Sequence, residues 1–164
     1  MSVEPWMRGP IEGVHPLVQP LLFSFQQVRE DLEKWTAFLS TEQMCAAPFD
    51  LGPVGFHVRH IGGSVERLMV YLQGGRLSEA QMAEMKAEKD PGASREELLA
   101  QMNSRLRDAE QVAHGIDPAS WAEPRFIGRK QLPTTVGGLI AHIAEHAQRH
   151  VGAAIITVKV VKAS

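Results

Sequence analysis

Hydrophobic residues recur at steps of three and four positions along four long stretches of this chain. The stretches run from about 16 to 39, from 53 to 73, from 94 to 115, and from 134 toward the end of the chain. This spacing places the apolar side chains on one face of an α-helix. The β-branched segment ITVKVV fits the last helix or a short strand, and we assign it to the helix. The pattern predicts an all-α protein, an antiparallel four-helix bundle with short extra helices in its connections.

Residues with known capping roles mark the ends of these predicted helices. A glycine pair at 74–75 follows the second helix, and glycine commonly follows the last helical turn. Ser94 and Glu97 have the spacing of a capping box, in which each side chain bonds the backbone N–H of the other. Thr134 or Thr135 can cap the last helix. These signals indicate one end of each of these three helices.

The connections between the long helices contain weaker signals. Ser40 and Gln43 have capping-box spacing, which predicts a short helix there, and a second short helix is predicted over 78–88. The sequence Asp-Pro-Gly at 90–92 predicts a turn. Residues 116–133 contain three prolines and one glycine, so we predict irregular structure for them.

Composition and charge narrow the class of protein. The 164 residues suit one domain, which we divide into an N-terminal arm at 1–14 and a helical bundle at 15–164. A formal net charge of −2 with scattered basic residues predicts no nucleic-acid partner. No stretch approaches the ~18 uninterrupted apolar residues of a membrane span, so no membrane partner is predicted. Cys45 is the single cysteine, which excludes an intramolecular disulfide and favours a cytoplasmic location.

Three histidines lie four positions apart in the segment HIAEHAQRH, at His142, His146 and His150. Residues four apart on a helix lie on one face, so these rings form a stripe. The stripe adjoins Ile143 and Ala147, which are expected to face the core. A buried polar group without a partner costs roughly 1–3 kcal/mol. A metal ion shared by two of the imidazoles would remove that cost.

A second histidine cluster lies on the second predicted helix, at His57 and His60 in the segment FHVRHIGG. The glycine pair at 62–63 follows, although glycine inside a helix costs about 1 kcal/mol relative to alanine. Close approach of another helix, or room for a ligand, would compensate for that cost. A bundle can bring these two helices together. We therefore predict a metal site that combines His146 and His150 with one histidine of this cluster.

Two segments of this chain resemble the DinB-like superfamily. They are VRHI at 58–61 and TTVGGLIAHIAEHAQRHVG at 134–152, and the resemblance extends over about residues 15–156. It implies a four-helix bundle with a three-histidine metal site. In that family one ligand comes from the second helix and two come from an H-x-x-x-H motif on the last helix.

The resemblance assigns the metal ligands in this chain to His60, His146 and His150. The implied cofactor is one divalent ion, and imidazole ligands suit nickel, zinc and iron alike. His142 resembles an extra histidine that many family members have one turn earlier. His57 is less expected, so the choice between His57 and His60 stays open, as does a role for His142.

Three imidazoles leave a coordination position open for a substrate or for water, as in catalytic zinc sites. The resemblance implies small-molecule substrates, since characterised relatives include S-transferases and isomerases that use thiols such as glutathione, mycothiol or bacillithiol. We predict a metal-dependent thiol S-transferase. The alternatives are a hydrolase that uses metal-bound hydroxide and a non-catalytic bundle that binds a metal or a small ligand.

Relatives are often dimers, and the apolar tail AAIITVKVV offers a surface, so a homodimer is predicted.

Hydrogen-bond acceptors for the ligating histidines and cations for an anionic substrate are also expected around the predicted site. Each ligating histidine needs an acceptor for its second ring nitrogen, and Glu145, Ser64 or a backbone carbonyl could serve. An anionic thiol could be held by basic residues. The candidates are Arg59, Arg67, Arg129, Lys130 and Arg149.

Overall fold

The computed structural model describes residues 3–89 and 92–163. Within these ranges the chain forms six α-helices, which are α1 (Gln19–Thr36), α2 (Thr41–Cys45), α3 (Val54–Leu72), α4 (Glu79–Ala87), α5 (Arg95–His114) and α6 (Val136–Ala163). Two short antiparallel strands lie between α5 and α6, namely β1 (Pro124–Ile127) and β2 (Leu132–Thr135). The four long helices α1, α3, α5 and α6 enclose one hydrophobic core. The predicted all-α bundle with short extra helices is confirmed.

The core is formed by the apolar faces that the sequence pattern predicts. Its largest fully buried side chains come from all four long helices and from α2, namely Leu21, Phe25, Leu32, Met44, Ile61, Met102, Leu106, Leu139 and Ile143. Burying a side chain of this size contributes roughly 1.5–3 kcal/mol each. None of the described helices combines the length and the apolar character needed to cross a membrane.

Helices α3 and α6 run in opposite directions. His60 contacts His146 near the middle of the pair, and the hydroxyl of Thr157 donates to the carbonyl of Gly52 near one end. Helices α1 and α5 are also antiparallel. The antiparallel arrangement places the histidines of α3 against those of α6.

Helices α3 and α5 run in the same direction, as do α1 and α6. Gly55 lies against Leu98 at the start of the first pair, and Glu66 forms an ion pair with Arg105 further along. The connection from α3 to α5 must therefore return along the bundle, and α4 lies in this connection. We call the described residues of this connection, 73–89 and 92–94, the crossover.

Serine capping boxes begin the short helices and α5. Those of Ser40 and Ser94 are confirmed, and Ser78 begins α4 with a third. Of the two threonines considered for the last helix, Thr135 accepts a hydrogen bond from the backbone N–H of Gly138. The predicted turn at 90–92 begins with two positions outside the described residues.

The segment ITVKVV is helical, as predicted, and lies within α6. Ala154 and Val158 lie in the core, whereas Ile156 is 56% exposed. The apolar tail therefore packs mainly into the core of this chain. The homodimer stays a prediction.

The irregular segment predicted at 116–133 contains a β-hairpin that the sequence analysis missed. Strand β1 and the first residues of β2 fall in this range. Pro124 and Pro133 obscure the alternating pattern of a strand. Proline is tolerated here because each strand of a two-stranded sheet has an unpaired edge.

The hairpin and the loop before it are attached to the start of α6. The backbone N–H of Gly137 donates to the carbonyl of Trp121, and the indole ring of Trp121 lies over Gly137. A methyl group at this glycine would overlap the ring. The loop thus depends on a glycine at the first turn of α6.

Candidate metal centre

Helices α3 and α6 bring His60, His146 and His150 together. Each ring offers one nitrogen, and these three nitrogens lie within 4.8 Å of one another. The Nε2 atoms of His60 and His146 are 3.0 Å apart. The ring centroids of His60 and His150 are separated by 4.3 Å, and those of His146 and His150 by 4.7 Å. Three converging imidazoles fit the donor set that binds zinc, nickel or iron.

His57 lies behind His150, outside this group of three. Its Nδ1 is 3.0 Å from Nδ1 of His150, and it also bonds the backbone of Gly52. If Nδ1 of His57 accepts this hydrogen bond, the neutral ring of His150 holds its proton on Nδ1. The Nε2 lone pair of His150 is then free to bind an ion. Of the two histidines on α3, His60 lies within the group and His57 orients one member.

His142 lies at the outer edge of the site. Its side chain is 43% exposed, and its Nδ1 is 2.8 Å from Oε1 of Glu145. Its ring centroid is 5.3 Å from that of His146, but it does not belong to the group whose nitrogens converge. The structure therefore places His142 as a neighbour of the three.

Glu88 contacts the site although the sequence analysis missed it. It follows α4 in the crossover, and its Oε2 is 2.7 Å from Nδ1 of His60. The acceptors considered from sequence are engaged elsewhere, since Ser64 donates to the Ile61 carbonyl and Glu145 bonds His142. No local pattern distinguishes Glu88 from surface glutamates. Only the path of the crossover, which returns along α3, brings it to His60.

The two glycines in the middle of α3 are required for different structural reasons. A methyl group on Gly62 would lie 3.0 Å from Cα of Met102, so this glycine permits close approach of α5. A methyl group on Gly63 would collide with Oε1 of Glu88 and lie 2.8 Å from Nη1 of Arg67. Gly63 therefore provides room for two buried charged side chains beside the site.

The basic residues considered for binding an anionic thiol lie in different surroundings. Arg67 forms a buried ion pair with Glu88 at 2.7 Å, so it is not a surface group that could hold a thiol. Arg129 lies in the exposed hairpin turn with Lys130. Arg149 forms an exposed pair with Glu145, and its Nη2 is 3.3 Å from Nδ1 of His146. Arg149 thus places a cation beside His146.

The environment favours the neutral form of His150, His146 and His57. Burial, and after it the neighbouring rings of His60, His146 and His57, lower the pKa of His150 to about 4. Burial also lowers the pKa of His146 and of His57. Because only neutral imidazole can bind a metal, these directions favour ion binding at neutral pH.

Acidification is expected to destabilise the metal-free protein between about pH 6.5 and 4. The pKa of His150 is about 4 in the folded chain. A free histidine has a pKa of about 6.5, so the unfolded chain binds this proton first as the pH falls. The free energy of unfolding then decreases through this window by about 1–2 kcal/mol for this half-buried ring. Urea unfolding of EDTA-treated protein near both ends of the window measures the decrease.

His150→Gln is the matched variant for this measurement, because glutamine does not titrate. Its free energy of unfolding is expected to decrease less than that of the wild-type protein over the same window. Carboxylates also titrate in this range, but they contribute to both proteins. Equal decreases in the two proteins would contradict the assignment to His150.

Comparison with known protein families finds a match for this chain. The family model of the DinB superfamily matches residues 24–154, which is most of the chain and includes all three histidines. None of the curated proteins matches the chain.

Proposed function

Since this chain belongs to the DinB superfamily, we propose that it is a metal-dependent thiol S-transferase. His60, His146 and His150 bind one divalent ion of nickel, zinc or iron in this proposal. The convergence of three ring nitrogens within 4.8 Å is the observation that supports it most directly. Three protein ligands leave room for a small-molecule substrate on the ion.

His60, His146 and His150 would hold the divalent ion, which would supply a positive charge that lowers the pKa of a thiol toward neutral pH. The chain supplies these imidazole ligands and, through Arg149, a positive charge beside His146 for an anionic group of the thiol. The thiol proton passes to solvent. The sulfur forms a bond to an electrophilic carbon of the second substrate, and the leaving group of that carbon departs with the bonding electrons.

The carboxylates around the site favour the transferase over the hydrolase. A hydrolase would need a carboxylate free to take a proton from water. Among the described residues, Glu88 bonds both His60 and Arg67. Glu145 bonds His142 and Arg149. Both carboxylates thus already have partners.

Thiol transfer is expected to require the metal ion. EDTA-treated protein and protein reloaded with zinc, nickel or iron are assayed with glutathione, bacillithiol or mycothiol, and with 1-chloro-2,4-dinitrobenzene as the acceptor. With one of these thiols, reloading is expected to raise the rate at least about tenfold. Protein-free metal is the control for catalysis by the ion alone.

Two results would contradict the transferase. Equal rates with and without metal would exclude a role for the ion. Metal-dependent cleavage of p-nitrophenyl acetate without any thiol, together with no thiol transfer, would instead support the hydrolase.

A further inference from the structure

We propose that Glu88 is a positioning residue of the metal centre, which fixes the Nδ1–H form of His60 and thereby directs its Nε2 lone pair toward His146 and His150. The inference rests on the proposed metal site and not on the proposed thiol chemistry. It assigns a role to a residue 28 positions from the ligand it orients.

The contact with His60 determines which ring nitrogen holds the proton. Oε2 of Glu88 lies 2.7 Å from Nδ1 of His60. An ionised carboxylate can only accept a hydrogen bond, so the proton must be on Nδ1 of the neutral ring. Nε2 then carries the lone pair of the ring, and this atom lies 3.0 Å from Nε2 of His146. The hydrogen bond therefore places the lone pair where the three nitrogens converge.

The carboxylate is itself held in place on its other side. Oε1 of Glu88 lies 2.7 Å from Nη1 of Arg67, and the two side chains are 5% and 9% exposed. Its two oxygens have different partners, because Oε2 contacts His60 and Oε1 forms the ion pair with Arg67. Glu88 thus accepts from His60 in one orientation.

Gly63 makes this arrangement sterically possible. Any larger residue would place its β-carbon against Oε1 of Glu88. The absence of a side chain in the middle of α3 is therefore explained by the carboxylate that reaches His60.

The exposed contact between His142 and Glu145 provides a contrast. It has a similar length of 2.8 Å, but it joins residues three apart on one helix, and both side chains are about half exposed. Water competes for such a contact, and its contribution is small. The buried contact of Glu88 is the one that can hold a ring in one tautomer.

The first test uses metal-free wild-type protein and does not depend on any variant. Long-range ¹H–¹⁵N correlation spectra distinguish the two tautomers of each histidine. At mildly alkaline pH, His60 is expected to have its proton on Nδ1. A proton mainly on Nε2 of His60 would overturn the proposal.

The second test measures zinc affinity by competition with a chromophoric chelator. Glu88→Gln removes the charge while keeping the shape, and the Kd for zinc is expected to rise about 10- to 100-fold. The matched control is Glu84→Gln, on α4, which removes an exposed partner of Arg105. This control is expected to stay within about twofold of the wild-type protein.

An unchanged Kd in folded Glu88→Gln would overturn the proposal, as would equal weakening in both variants. The result is independent of the transferase assay. If Glu88→Gln weakens zinc binding but no thiol is transferred by the wild-type protein, the role of Glu88 stands and the transferase fails.

Discussion

Replacing His146 with alanine is expected to weaken the binding of one zinc ion by about 100- to 1000-fold. The free energy of structural zinc binding is about 10–16 kcal/mol for four ligands, so one ligand contributes about 2.5–4 kcal/mol. His146 belongs to the converging group, since its Nε2 lies 3.0 Å from that of His60 and its ring centroid 4.7 Å from that of His150. Isothermal titration of EDTA-treated protein with zinc gives both the affinity and the number of ions bound.

The matched control is His142→Ala, which removes an imidazole from the same helix one turn earlier. Since His142 lies outside the converging group, this variant is expected to bind one zinc ion with nearly wild-type affinity. Equal losses in the two variants would show that the last helix binds zinc as a general histidine cluster. Unchanged binding by His146→Ala would contradict the proposed ligand set.

Gly137→Ala is expected to lower the free energy of unfolding by about 2–3 kcal/mol. The new methyl group would overlap three atoms of the Trp121 ring, which lies directly over this glycine. The indole must leave its place, and the loop loses its packing against the first turn of α6. Urea denaturation of the wild-type protein and the variant measures the difference.

Gly152→Ala is the matched control, because Gly152 lies on the same helix and a methyl group there meets no atom within 4 Å. This change is expected to be neutral or to stabilise the protein by up to about 1 kcal/mol, since alanine favours helix. Destabilisation of both variants to the same extent would show that the position of the Trp121 ring is not the cause.

Helical periodicity predicts the long helices because each has one apolar face toward a common core. The second helix is expected over 53–73 and is observed at Val54–Leu72. The hairpin is missed because its strands are four residues long and each contains a proline, so neither shows a clear alternation. Strand pairing there depends on tertiary contacts that no short window of sequence contains.

The site also combines features that a short window of sequence contains with features that depend on tertiary contacts. The two histidines of the last helix are recognised from their spacing, and His60 is selected by its resemblance to a family motif. Glu88 has neither signal, because its role depends on the course of the crossover. Arg67 is considered for binding an anionic thiol for the same reason, since the sequence does not reveal that its partner is Glu88. Sequence thus predicts ligands within one helix better than partners brought from a separate segment.

The crossover has a consequence for how the protein responds to metal. Helix α4 buries none of its own residues, so it is held to the bundle by polar contacts such as Gln81 with Glu66, together with Glu88 just beyond its end. Coupling between two equilibria is reciprocal. If docking of this segment strengthens ion binding, then a bound ion must hold the segment in place by the same free energy. Amide hydrogen exchange in α4 would therefore become slower when the metal ion binds. The exchange rate of this weakly anchored helix would thus report whether the metal site is occupied.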